Sequence, residues 1–102
     1  MAKFVLAYRG GKMAEGAAEV EAQMAAWGAW FGSLGPKITD MGAPFGERTS
    51  IGTAPTETLS GYSIVEVDAL AEAKRVAQGC PVLAAGGSID VYEAMSIEGT
   101  AG

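Results

Sequence analysis

The stretch GYSIVEVDALAEAKRVAQGCPVLAAGGSIDVYEAM, Gly61–Met95, reads as strand, helix, turn and strand, and it decides the architecture. Gly61–Val67 alternates, with Val65 and Val67 on one face and Tyr62, Ile64 and Glu66 on the other, the period of a half-buried strand. A helix follows. Asp68 is placed to cap its first turn, and Gly79 before Cys80-Pro81 stops it. Gly86-Gly87 turns the chain into Ser88–Met95, where Ile89, Val91 and Glu93 alternate with Asp90, Tyr92 and Ala94.

Working outward, Lys3–Tyr8 is a short apolar strand of the kind that lies inside a sheet, ended by Arg9-Gly10-Gly11. From about Ala14 to Leu34, Ala17, Val20, Met24, Trp27, Phe31 and Leu34 recur at steps of three and four, which predicts a helix with one continuous apolar stripe facing the core. Trp30 sits about 80° off that stripe, so it is expected at the rim of the core, closing a cleft or packing under a loop. Gly28 and Gly32 share another side of the helix, where either the close approach of a second backbone or simple tolerance accounts for them. Gly35-Pro36 ends the helix, Lys37–Met41 is a second strand, and Gly42–Gly46 is a turn. Residues 47–60, rich in Thr, Gly, Pro and Ser, read as a mobile loop or hairpin, and residues 97–102 as a frayed tail.

The order β-α-β-β-α-β is the ferredoxin-like α+β arrangement, a four-stranded antiparallel sheet with two helices on one face, in a single domain spanning 1–102. With Val65, Val67, Ile89 and Val91 toward the helices, the opposite face carries Tyr62, Ile64, Glu66, Asp90 and Tyr92, joined by Phe4, Leu6 and Tyr8 of the first strand. Such a face is too apolar for water and too polar for an ordinary core. A second copy closing over it, with a partly polar cavity between the sheets, is the expected solution, and a chain this short gains stability from such a partner.

Composition excludes several classes. The net charge is −5, and Lys3, Arg9, Lys12, Lys37, Arg48, Lys74 and Arg75 are scattered, so there is no basic footprint for nucleic acid. The apolar run near the N-terminus is too short for a signal core or a membrane span, which makes a soluble cytoplasmic protein the expectation. One cysteine and no histidine leave no zinc site and no internal disulfide, and no cofactor is expected. Gly10-Gly11 and Gly86-Gly87 lack the spacing of a phosphate-cradling loop and read as turns.

Candidate site residues follow from the open face and its turns. Asp40, beside the Ala43–Gly46 turn, is either a carboxylate desolvated by Phe45 or a tryptophan and suited to proton transfer, or a solvated strand-end residue. Tyr8, Tyr62 and Tyr92 line an aromatic-friendly pocket or pack a dimer, and Glu66 and Asp90 supply acceptors. Arg9 and Arg48 orient a carboxylate or enolate with their forked donors, or are surface residues. Trp30 and Phe45 close the same cleft. Cys80, before a proline and without a base, is a packed structural thiol.

Trp27–Gly35, the Gly42-Ala-Pro-Phe-Gly46 turn, Gly61–Val67 and Gly79–Gly87 together resemble the YCII-related proteins, in the branch called DGPF-domain proteins, over nearly the whole chain. The resemblance implies a dimeric α+β barrel of ferredoxin-like subunits, distantly similar to muconolactone isomerase. In related members a first-helix histidine pairs with an aspartate near the Gly-Pro turn, and a dehydrochlorinase of a hydroxylated aromatic ring uses that machinery. Here the corresponding helix stretch holds Met24, Ala26 and Trp27, and only Asp40 matches. The resemblance also associates the domain with sigma factors. Two readings result: a homodimer with a pocket for a small organic acid or aromatic ligand, with histidine-free acid–base chemistry on Asp40 of isomerase or lyase type; or a non-catalytic accessory or regulatory domain.

Overall fold

A computed structural model of the chain describes residues 2–11, 15–53 and 58–95. The elements are β1 (Ala2–Arg9), α1 (Ala17–Leu34), a 3-10 turn at Gly35–Lys37, β2 (Ile38–Pro44), β3 (Leu59–Val67), α2 (Leu70–Ala77), α3 (Pro81–Ala84) and β4 (Ser88–Ala94). The strands form one antiparallel sheet in the order β2-β3-β1-β4, so the apolar first strand lies inside it, as its lack of charge predicts. This is the ferredoxin-like α+β topology. The tail at 97–102 and part of the 47–60 connection, residues 54–57, lie outside the described residues.

The register corrects one expectation. Phe4 stands opposite Val65, Leu6 opposite Ser63 and Tyr8 opposite Gly61, so Phe4, Leu6 and Tyr8 share the helix-covered face with Val65 and Val67 and are buried. The open face takes the other parity of β1: Lys3, Val5, Ala7 and Arg9. An apolar strand offers two nearly equivalent parities, and only its pairing with β3 selects one. Burying Phe4, Leu6, Val65 and Val67 supplies about 1.5–3 kcal/mol each.

The first helix also departs from its predicted stripe. Trp27, Phe31 and Leu34 pack against the core, but Val20 is 42% and Met24 70% exposed, and Ala17 is exposed too. The C-terminal half of α1 carries the packing, with Trp30 inside the core at 6% exposure rather than at its rim. Its indole Nε1 donates to Val76 O at 3.2 Å, which ties α1 to α2. Gly28 and Gly32 have nothing within 4 Å of where a Cβ would stand, so no second backbone approaches them among the described residues. At the start of α2 the capping residue is Ala69, not Asp68; Glu72 instead reaches back, its Oε1 accepting the Asp68 N–H at 3.5 Å. Pro81 does more than stop α2. It occupies the first turn of α3, where its missing N–H costs nothing.

The turn into β4 depends on Gly87, because a Cβ there would lie 2.7 Å from both Arg9 O and a Val82 methyl.

Candidate functional site on the open sheet face

The uncovered sheet face is a grid set by register. One row runs Ala43–Tyr62–Ala7–Asp90 across the four strands, and the next runs Asp40–Ile64–Val5–Tyr92. Ala7 puts the smallest side chain at the centre of the first row, between Tyr62 and Asp90. With adjacent strands about 4.8 Å apart, these two flank Ala7, and Val5 and Ile64 of the next row extend an apolar floor beside it. Arg9, next along β1, forms an ion pair with Asp90 at one end of the face. Lys3 stands opposite Glu66 at the other end.

Asp40 reaches this face through a defect in β2. Ile38 pairs with Val65 on the helix side, yet Asp40, two residues on, pairs with Ile64, and Ala43 pairs with Tyr62. Two irregularities add a residue each to β2. In a regular strand Ile38 and Asp40 would share a face, so the first bulge sends Asp40 to the open side. Hydroxyls bridge the disrupted ladder: Thr39 Oγ1 donates to Ile64 O at 3.2 Å and Ser63 Oγ to Met41 O at 2.8 Å. Gly42, with φ +75°, occupies the second irregularity, where only glycine is at ease.

There Asp40 is held at both oxygens. The Gly42 N–H donates to Oδ1 at 2.8 Å and the Tyr62 hydroxyl donates to Oδ2 at 3.1 Å. Bonding to Asp40, with the carboxylate's charge added, raises the Tyr62 pKa, so its phenol keeps its proton. Phe45 stacks on the Tyr62 ring, centroids 5.8 Å apart and planes 26° apart, and anchors itself by donating its N–H to Ser60 O. Phe45 thus covers Tyr62 rather than Asp40, which stays exposed, the solvated of its two alternatives.

The structure therefore brings together Asp40, Tyr62, Phe45, Arg9 and Asp90, with Tyr92 and Glu66 on the same face. It places two expected members on the other side of the sheet. Tyr8 and Trp30 lie on the helix side, because of the β1 parity and the turn of α1. Arg48 lies in the exposed connection after β2. The residues missed are Ala7 and Val5, which a reading of the opposite β1 parity would have found, and the Gly42 N–H, which depends on the irregularity in β2.

On the helix side the aromatic cluster is structural. Tyr8 meets Trp27 edge-on at 5.4 Å. Its hydroxyl is buried beside the Ser63 and Cys80 side chains but makes no hydrogen bond of good geometry among the described residues. A groove of about 590 Å³ between α1 and the α2–α3 turn is lined by Ala26, Trp30, Ser33, Gly79, Cys80 and Leu83. Cys80 is buried, and burial pushes its thiol pKa up, which fits a packed thiol and not a nucleophile. Burial likewise raises the Tyr8 phenol. Because both folded-state values lie above the ordinary 10.0 of tyrosine and 9.0 of cysteine, this stabilisation is complete at neutral pH and is lost as pH rises through that range. Tyr8→Phe removes an unsatisfied hydroxyl, so the unfolding free energy from urea titration should stay level or rise by up to about 1 kcal/mol at pH 7 and fall less steeply above pH 10. A loss beyond about 1 kcal/mol at pH 7 would show that the hydroxyl is bonded.

Among the described residues no helix is long and apolar enough to cross a membrane.

Two comparisons place the chain among known proteins. The profile of the YCII-related domain matches residues 1–98. The fold is similar to that of a 5-chloro-2-hydroxyhydroquinone dehydrochlorinase from Burkholderia phenoliruptrix AC1100, solved in complex with 2,5-dihydroxybenzoquinone. The two share 22% identity and a TM-score of 0.57 over 93% of this chain and 96% of that one. A search among curated proteins finds no match. The match over nearly its full length makes this chain a member of the YCII-related family.

Proposed function

We propose that the open sheet face is the ligand site of a homodimer, taking a small hydroxylated aromatic or enolisable molecule, including organic acids of that kind. The observation that carries this is the Tyr62–Asp40 hydrogen bond under the stacked Phe45, on a sheet face with an apolar floor and an ion pair at its end. A flat ring fits over Ala7, Val5 and Ile64. Its polar groups meet Asp40–Tyr62 on one side and Arg9–Asp90 on the other. A second copy over this face would exclude water and strengthen each polar contact. Where turnover occurs, Asp40 is the base that ultimately takes the proton, since there is no histidine in the chain. The dihydroxybenzoquinone bound by the dehydrochlorinase supports the choice of ligand class.

The test combines sedimentation velocity with a thermal-shift panel of hydroxylated aromatics, 2,5-dihydroxybenzoquinone, small acids and enolisable ketones. A dimer is expected. Ligand at 100 times its dissociation constant should add about 2.7 kcal/mol, several degrees in a domain this size. Asp40→Ala should weaken binding at least about tenfold, the worth of a hydrogen bond to a charged group. No shift across the panel from intact protein would leave the non-catalytic interaction domain, the reading favoured by the exposed Val20 and Met24.

A further inference from the structure

The hydrogen-bond directions at Asp40 fix the polarity of the site. Both carboxylate oxygens accept, Oδ1 from the Gly42 N–H and Oδ2 from the Tyr62 hydroxyl. Tyr62 has one proton, and it is directed to Asp40. The phenolic oxygen therefore turns only lone pairs toward the open face, with its ring pinned by Phe45. The carboxylate beside it is likewise an acceptor. No donor remains in this pair for a ligand oxygen.

We infer that the Asp40–Tyr62 pair selects ligands that present a hydrogen-bond donor, a neutral phenolic or enolic hydroxyl, to the Tyr62 oxygen, and that Asp40 is the positioning residue that imposes this polarity through Tyr62. The inference rests on the open-face reading above and deepens it. A phenolate, a carboxylate or a quinone carbonyl at this end would meet lone pairs and be rejected by repulsion and by the loss of its hydration. Such groups belong at the Arg9 end of the face.

The same geometry makes a reversible prediction. In Asp40→Asn the Gly42 N–H still requires an oxygen at the position of Oδ1. The amide nitrogen must then face Tyr62 and donate to its oxygen, so the phenolic proton swings outward. An acceptor-only anchor becomes a donor. Tyr62→Phe removes the switch altogether.

The experiment is a ligand-observed NMR titration of a matched pair, hydroquinone and 1,4-dimethoxybenzene, under anaerobic conditions. The pair shares one skeleton and differs in whether its oxygens can donate. The wild type should bind hydroquinone at least tenfold more tightly than the ether. Asp40→Asn should bring the two compounds close to parity, because the hydroquinone oxygen also accepts from the outward phenolic proton, while its thermal midpoint stays at the wild-type value. Equal binding of both compounds by the wild type, or an undiminished hydroquinone preference in Asp40→Asn, overturns the inference while leaving the open face as a site. Binding of neither compound by the wild type overturns both.

Discussion

Gly42→Ala should cost more than about 3 kcal/mol, lowering the melting temperature by more than about 12 °C in a domain of this size. A Cβ at Gly42 would lie 1.7 Å from Tyr62 O and 2.6 Å from Tyr62 C, both backbone atoms of the neighbouring strand, so no rotamer relieves the overlap. The positive φ adds about 1–2 kcal/mol of its own for an L side chain. Gly52 separates these contributions. Its φ is +82° but, among the described residues, nothing lies within 4 Å of its Cβ position, so Gly52→Ala should cost only the backbone share. Urea unfolding followed by circular dichroism measures both. A wild-type midpoint for Gly42→Ala would mean that β2 does not approach β3 as described, and would remove the bulge that delivers Asp40 to the open face. Because relieving the overlap displaces the backbone N–H that holds Asp40, any folded fraction of this variant should bind ligand poorly.

Phe4→Ala should cost about 3–5 kcal/mol, the range for truncating a buried phenylalanine. Phe4 is 1% exposed, at the centre of the layer between sheet and helices. Its neighbour Val5 lies half-buried on the open face, and Val5→Ala should cost about 1 kcal/mol. Small domains hold only about 5–15 kcal/mol in total, so the first change leaves much less margin at 37 °C and the second does not. The contrast tests the face assignment of β1. A larger loss at Val5 than at Phe4 would restore the opposite parity, and with it Tyr8 as a member of the open-face site.

These two substitutions fall where sequence and structure part company. The two C-terminal strands were legible because each alternates cleanly: Val65 and Val67 against Ile64 and Glu66, Ile89 and Val91 against Asp90 and Tyr92. Glycines punctuated them at Gly79 and Gly86-Gly87. The first strand showed that it was a strand, and an inner one, but with apolar residues at both parities it carried no sign of which face was which. The first helix was legible as a helix and misleading as a stripe. Val20 and Met24 keep the correct spacing, yet packing is confined to the C-terminal half of α1, and spacing says nothing about how far a partner extends.

The site shows the same division. Tyr62, Asp90, Tyr92 and Glu66 were placed on one face by the period of two alone, and Arg9 by its position at the strand end. Trp30 and Tyr8 were misplaced because helix rotation and strand parity are settled by neighbours distant in sequence. Asp40 is the sharpest case. Local pattern placed it on or beside β2, next to the turn, but its face depends on an extra residue accommodated between Ile38 and Asp40, and its partner Tyr62 lies 22 positions away. From its sequence the chain's strand and helix order and its chemical inventory were determined, because these follow from local propensity and periodicity. The parity of β1, the bulges in β2 and the pairing of Asp40 with Tyr62 were decided only by tertiary structure, because register between strands is set by which nonlocal backbone and side-chain partners can be satisfied together.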